Sequence, residues 1–425
     1  MKQTTFSSLF DRNTKKILFV LIIISFAITL IVIEFGLRLT PLRSLLITPT
    51  VSQHYNQPDK EMGYDLAENF NDGTHIFADG SHKIFTNHLG CFDKKLGERD
   101  QEDDYVLVLG DSFAWGYVPL ELNWSSVLED ILRIRVLKCG VNGFGTEQSL
   151  LKGKKIITRM KRNPSLIVVS YYINDLNDDY YLPDTVIHGY RFSQIKRANI
   201  SNGDVAYYSS EDLLSRLHSY LAHGNPDYDI QGLGQRLRYW IKRNSILANM
   251  FRVSMQKLNV RADPPVSVNH RYGFLLATLD EDKYPWVGKA WETHRRNLQR
   301  LKQFSQSVDA QLLMIIIPTK QQVDSADSGG ISDAHNIAYR KVMRFLESQG
   351  ISYFDLLEPL RQQAQNGITP MSKSKEQLYW KYDGHWNVHG NKLVGSLVGQ
   401  FIKDKGLLHS KYSTEGIESK TIFRR

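Results

Sequence analysis

The sequence predicts an α/β protein built on a parallel sheet, and three observations carry that prediction. Candidate strands recur at Tyr105 to Leu109, Arg135 to Lys138, Leu166 to Tyr171, Leu312 to Ile317 and Ile351 to Phe354, the fourth of them the most apolar. Segments of helical spacing lie between them, and turn-forming residues gather where the runs stop, as at Gly110-Asp111-Ser112 and Asn174-Asp175. Strands alternating with helices require right-handed crossovers and a sheet covered on both faces.

The elements follow in order. Tyr105 to Leu109 is the first strand, and Gly110-Asp111-Ser112 turns it into a helix start. Trp124, Val127, Leu128, Ile131 and Leu132 share one helical face. Arg135 to Lys138 is the second strand, and a helix is expected from about Thr146 to Arg162. After the third strand, Leu166 to Tyr171, the alternation is lost over residues 176–285, an insertion that must leave the sheet at its rim. It resumes with a helix around Trp291, Leu298, Leu301, Phe304 and Val308, then the fourth strand, a helix near Ala338 to Glu347 and the fifth strand. A last helix after Asn387 buries Leu393, Val394, Leu397, Val398, Phe401 and Ile402.

The amino terminus carries a different signal. Lys2, Arg12, Lys15 and Lys16 precede Ile17 to Ile33, a run interrupted only by Ser25 and Thr29. At about 1.5 Å per residue the run spans roughly 25 Å, and Phe35, Leu37 and Leu39 extend it toward the ~30 Å of a bilayer core. No small-x-small cleavage site follows. The expectation is one uncleaved signal-anchor at 17–35, a cytoplasmic segment 1–16, and everything beyond outside the cytoplasm. Residues 36–104 read as a stalk and decorating segment with short extended pieces such as His82 to Thr86, 105–405 as the main domain, and 406–425 as a tail.

Composition narrows the function classes. A hydrophobic content of 42% with 23% charged residues describes a folded chain. The net charge of +8 favours an anionic surface or substrate, and neither repeats nor nucleic-acid motifs accompany it, so no nucleic-acid partner is expected. Within the insertion, Arg236, Arg238, Lys242, Arg243, Arg252, Lys257 and Arg261 interleave with Leu237, Trp240, Ile241, Leu247, Phe251 and Met255. That pattern suits either a helix with a solvated basic face or one resting on an anionic membrane or polymer. Cys91 and Cys139 fit an oxidising compartment, as a disulfide or as two buried thiols.

Acyl transfer needs a nucleophile, a base, a group orienting the base, and donors for the oxyanion. Ser112, at the carboxyl end of a strand, supplies the hydroxyl; His385 can take its proton while Asp383 holds the other ring nitrogen. The backbone N–H groups of Ser112 and Gly143 and the side-chain amide of Asn174 can receive the oxyanion. His389 is the second-ranked base. Trp115 and Trp386 suit either a substrate wall or packing, and Asp175, Asp178 and Asp179 read as a solvated turn rather than a cation site, so no metal is expected.

These blocks, Gly110-Asp111-Ser112 with Gly116, Asn142-Gly143, Ile173-Asn174-Asp175 and Asp383-Gly384-His385, resemble in type and order those of the SGNH (GDSL-type) hydrolase family. The resemblance covers about residues 84–175 and 286–403. It implies a flavodoxin-like three-layer α/β/α sandwich of about five parallel strands, without metal or organic cofactor. It assigns Ser112, His385 and Asp383 as the triad, and Ser112, Gly143 and Asn174 as the oxyanion hole. The chain departs from the family pattern in two places: Tyr172 stands where glycine is usual, and Asp383 and His385 are two apart rather than three. The shorter spacing, followed by Trp386, looks like the variant of membrane-associated, polysaccharide-modifying members.

The expected function is therefore a membrane-anchored extracytoplasmic serine esterase acting on an acylated envelope glycan or lipid. O-acyl transfer to a polysaccharide, with a membrane acyl-transfer protein as partner, is the alternative on the same triad. A non-catalytic envelope scaffold and a membrane-surface adaptor are the alternatives of other classes.

Overall fold

The computed structural model of the chain describes residues 6–40, 55–71, 73–77, 79–97, 103–181, 285–324, 331–366, 377–381 and 383–408, and short runs between 185 and 250. The chain divides into two compact units, one of residues 1–51, 76–78 and 230–264, the other of 52–75, 79–229 and 265–425.

In the first unit, helix α1 (Phe6–Arg38) contains a 23-residue stretch, Lys16–Arg38, long and apolar enough to cross a membrane. Its apolar side chains, Ile17 to Ile33, are exposed rather than packed into a core. Near its end Glu34 accepts hydrogen bonds from the Ile246 and Leu247 N–H groups and the Ser245 hydroxyl, at 2.9, 3.1 and 3.0 Å. The basic residues of 236–261 named above, and the tail beyond Leu408, lie outside the described residues.

Among the described residues four short strands precede the central sheet: β1 (Asn56–Asp59), β2 (Gly63–Leu66), β3 (Gly73–Phe77), of which residues 73–75 fall in the second unit, and β4 (Gly80–Ile84). The central sheet follows. It contains β5 (Tyr105–Gly110), β6 (Arg135–Lys138), β7 (Leu166–Tyr171), β12 (Gln311–Ile316) and β13 (Ser352–Asp355), all parallel, in the spatial order β6-β5-β7-β12-β13. Numbered within the sheet, that order is 2-1-3-4-5, the flavodoxin-like arrangement. Between β7 and β12 the insertion holds two antiparallel pairs, β8 (Thr185–Ile187) with β9 (Tyr190–Phe192) and β10 (Ile195–Ala198) with β11 (Val205–Tyr207), and then α6 (Ser210–His223).

The alternation along β5 sends Leu107 and Leu109 to one face and Val106 and Val108 to the other. Helices α4 (Thr146–Ile157), α5 (Asp175–Tyr181), α7 (Pro285–Ser307) and α9 (Ile331–Ser348) cover the first face, through Leu150, Leu176, Leu298, Leu301 and Leu346. Helices α3 (Trp124–Leu132), α10 (Leu357–Asn366) and α11 (Val388–Asp404) cover the second, through Leu128, Leu360, Val394 and Val398. The expected three layers are present.

Three local expectations need correction. The helix expected to reach Arg162 stops at Ile157, because turns follow from Thr158 onward. The strand expected at His82 to Thr86 is Gly80–Ile84. The segment before β5 is also more than a decoration, being fastened to the sheet domain by buried polar contacts. Lys152 Nζ donates to Asp65 at 2.6 Å and to the Gly90 carbonyl at 2.9 Å, Gln148 donates to the Met62 carbonyl at 2.7 Å, and Cys91 is disulfide-bonded to Cys139.

Candidate active site

Strand β5 ends at Gly110, and the chain turns at Asp111 into α2 (Ser112–Trp115), a single helical turn rather than a longer helix. Asp111 caps that turn: its side chain accepts the Phe113 N–H at 2.9 Å. Ser112 thus stands at the carboxyl edge of the sheet on a backbone fixed from both sides, 7% exposed.

The His385 loop is built differently. Tyr379 and Trp386 form an isolated antiparallel bridge, Trp380 N–H donates to the His385 carbonyl at 2.9 Å, and Asn387 N–H donates to the Leu378 carbonyl at 3.0 Å. The loop 380–385 is therefore clamped at its base, and Asn387 caps α11 immediately after it. His385 Nε2 lies 2.7 Å from Ser112 Oγ, and His385 Nδ1 lies 2.5 Å from Asp383 Oδ1. The two-residue spacing serves this geometry, because the same carboxylate oxygen also accepts the His385 backbone N–H at 2.8 Å. Burial pushes the Asp383 carboxyl up, but the His385 ring, its hydrogen bonds and His75 outweigh that and hold it below the usual carboxylate range. His389 is exposed on α11.

The expected oxyanion donors are placed less uniformly. Gly143 sits in the turn after β6 with φ +82°, and the carbonyl of Asn142 before it accepts the Tyr64 hydroxyl at 2.9 Å. Asn174 stands at the carboxyl end of β7, but its amide nitrogen donates to Asp178 at 2.7 Å, and the amide also bonds the Asp111 carboxylate. Tyr172 packs its ring on Phe113, centroids 4.6 Å apart. Trp115 and Trp386 are buried, so of the two readings given above they follow packing.

The acidic turn is a correction. Asp175 and Asp179 are buried, not solvated. Asp179 accepts the Thr146 hydroxyl and the Glu147 N–H, and bonds His294 Nδ1 at 2.7 Å, so it joins α4, α5 and α7. Burial first, then the neighbouring carboxylates Asp111 and Asp179, push Asp175 and Asp178 well above the usual range. Burial likewise pushes Asp111 up to about 6. Among the described residues no cluster of metal-ligating side chains has the geometry to hold an ion.

Sequence reasoning missed several residues around Ser112, His385 and Asp383. Tyr117 stacks on His385 with centroids 3.7 Å apart and planes 7° from parallel, and the Phe113 ring lies 4.8 Å from the same imidazole. Asp79 Oδ2 accepts the Asp383 backbone N–H. Tyr117 was within reach of a local argument, five residues after Ser112; Asp79 carried no local signal.

Residues 279–421 match the family model described as the SGNH hydrolase-like domain of the acetyltransferase AlgX. That stretch is similar to an SGNH hydrolase-like domain. It contains β12, β13 and Asp383-Gly384-His385; Ser112, Gly143 and Asn174 precede it. Similar solved structures include the acetyl xylan esterase AlAXEase, 11% identical over 70% of this chain and 99% of that one, with a TM-score of 0.34. The acetylxylan esterase Axe2 from Geobacillus stearothermophilus is 10% identical over 72% and 97%, TM-score 0.34. A GDSL-like lipase from Bacteroides thetaiotaomicron VPI-5482 is 10% identical over 74% and 93%, TM-score 0.30. At such scores these superpositions assign no residue. No curated protein sequence matches the chain.

Proposed function

We propose that the chain is a membrane-anchored serine esterase that works outside the cytoplasm on acyl esters of an envelope glycan or lipid. The observation that carries this reading is the line Ser112 Oγ, His385, Asp383, with contacts of 2.7 and 2.5 Å. Ser112 Oγ attacks the acyl carbon, the carbonyl electron pair moves onto oxygen, and the Oγ proton passes to His385 Nε2. Asp383 holds the tautomer and faces the imidazolium that forms. The Ser112 and Gly143 N–H groups, joined by Asn174 once its amide turns from the carboxylates, receive the oxyanion. Collapse breaks the ester C–O bond, and the leaving alkoxide takes the proton from Nε2. Water, deprotonated by the same imidazole, then releases the acid.

The location is supported by α1, with its basic leading flank, and by the Cys91–Cys139 disulfide, which suits an oxidising compartment. O-acyl transfer is the second reading, favoured by the match to a model named for an acetyltransferase. It differs only in that an acceptor hydroxyl replaces water, and a membrane acyl-transfer protein would be its natural partner.

The test is fluorophosphonate labelling of the full chain in detergent. An adduct on Ser112 that vanishes in Ser112→Ala and His385→Ala is expected; a folded wild-type chain without adduct overturns the enzyme reading. Offering an activated acetyl ester with and without a polysaccharide acceptor separates the two chemistries. Free acid released at an unchanged rate, with no acetyl on the acceptor, sinks transfer.

A further inference from the structure

Tyr117 touches the candidate base with the face of its ring. The ring lies 3.7 Å from that of His385 and nearly parallel to it, with planes 7° apart. Ordinary packing does not demand a parallel stack, and here several contacts impose one. His75 and Trp115 meet the Tyr117 ring edge-on, at 89° and 79°. The Tyr117 carbonyl accepts from Trp380 Nε1 at 3.2 Å, and Trp380 in turn donates its N–H to the His385 carbonyl. The chain reaches this position by reversing at Gly116, with φ +85° and ψ 148°, a conformation essentially reserved for glycine. A Cβ there would come within 2.2 Å of Asn123 Nδ2.

We propose that Tyr117 is a positioning residue for the base. Its ring holds the His385 imidazole between Ser112 and Asp383 and stabilises the imidazolium formed as Ser112 gives up its proton. The proposal rests on the reading that Ser112 and His385 perform acyl chemistry. An aromatic face attracts a cation through its quadrupole, and that attraction arises only after proton transfer, so it favours the transition state over the resting state. The titratable groups facing the stacked pair are Asp383, Tyr55, Asp111 and His75. Their charges act on every Tyr117 variant alike.

The test uses the full chain in detergent micelles, p-nitrophenyl acetate as substrate, and kcat/KM followed across pH. Tyr117→Phe keeps the ring and is expected to stay within about threefold of the wild-type rate with the acid limb of the profile in place. Tyr117→Leu removes the ring. It is expected to lower the rate about three- to tenfold and to move the acid limb about half a pH unit toward lower pH, because the imidazolium loses its π partner. A Phe variant that loses as much as the Leu variant overturns the role of the ring. An unmoved limb in a folded Leu variant, or in Tyr117→Met if the Leu variant does not fold, overturns the role of the ring. Failure of the underlying reading looks different: the wild-type chain itself would neither turn over the ester nor label at Ser112.

Discussion

Asp79 Oδ2 accepts the backbone N–H of Asp383 at 2.8 Å, a contact between residues 304 positions apart. It fixes the residue that orients His385 without touching the imidazole. Asp79→Ala removes an acceptor of the charge-assisted kind, worth roughly 1.5–3 kcal/mol. Part of that loss is expected as looser alignment, a fall of about tenfold in kcat/KM for an activated ester, with little change in melting temperature. Asp79→Asn retains an acceptor oxygen and should keep most of the activity. Equal rates in the Ala variant and wild type would show that the bridge at Tyr379 and Trp386 suffices to hold the loop.

Much of this arrangement was readable in the sequence because its signals are local. Apolar runs that stop at Gly-Asp-Ser or before Asn-Asp mark strand ends, and a parallel sheet places those ends along one edge. The contributions of residues 55–95 were not readable. Tyr55, His75, His82 and Phe92 gather around Trp115 by long-range aromatic packing, which leaves no periodicity in the chain. The carboxylates 175–179 looked solvated for a related reason. What buries Asp179 is His294 on α7, beyond the insertion, and no feature near Asp179 announces it. Asn174 was placed at the right strand end, but whether its amide faces Ser112 or Asp178 depends on that same burial.

Gly110 joins β5 to the nucleophile turn with φ +132°, where a Cβ would lie 2.1 Å from Ser170 Oγ and 2.8 Å from the Ser170 carbonyl oxygen. Side-chain movement can relieve the first contact but not the second, which is backbone of the neighbouring strand. Gly110→Ala is therefore expected to cost about 3 kcal/mol in denaturant unfolding and to abolish labelling of Ser112. Gly110→Ala combined with Ser170→Ala should recover only part of the stability. Full recovery would place the clash in the hydroxyl alone.

His75 and His82 are buried among aromatic rings, and burial, aided at His75 by the neighbouring His82 and His385, depresses them to about 3 and about 4. Unfolded, they titrate near the ordinary value of about 6.5. Between those limits the unfolded chain binds more protons, so their contribution is complete above about pH 6.5 and declines as pH falls. Asp111, raised to about 6 by burial, and Asp175 and Asp178, raised well above the usual range, work in the opposite sense and gain stability as pH falls toward their unfolded values. The part that belongs to the histidines is isolated by difference: from pH 7.5 down to 5 the variant carrying His75→Phe and His82→Phe should gain melting temperature relative to the wild type. A constant difference between the two chains across that range would assign the acid sensitivity elsewhere.

The Cys91–Cys139 disulfide closes a loop of 48 residues, which on chain entropy contributes about 4 kcal/mol. Both cysteines are buried, and Cys139 directly follows β6, four residues before Gly143, so the crosslink anchors the base of the candidate oxyanion loop. Replacing both by alanine is expected to lower the urea midpoint in proportion to that loss. It should also slow fluorophosphonate labelling of the remaining folded fraction, because the Asn142–Gly143 turn then relies on the Tyr64 hydroxyl and on the Val141 and Phe144 backbone hydrogen bonds. If stability falls while the labelling rate of the folded chain does not, the disulfide braces the fold and those hydrogen bonds keep the turn in its pose.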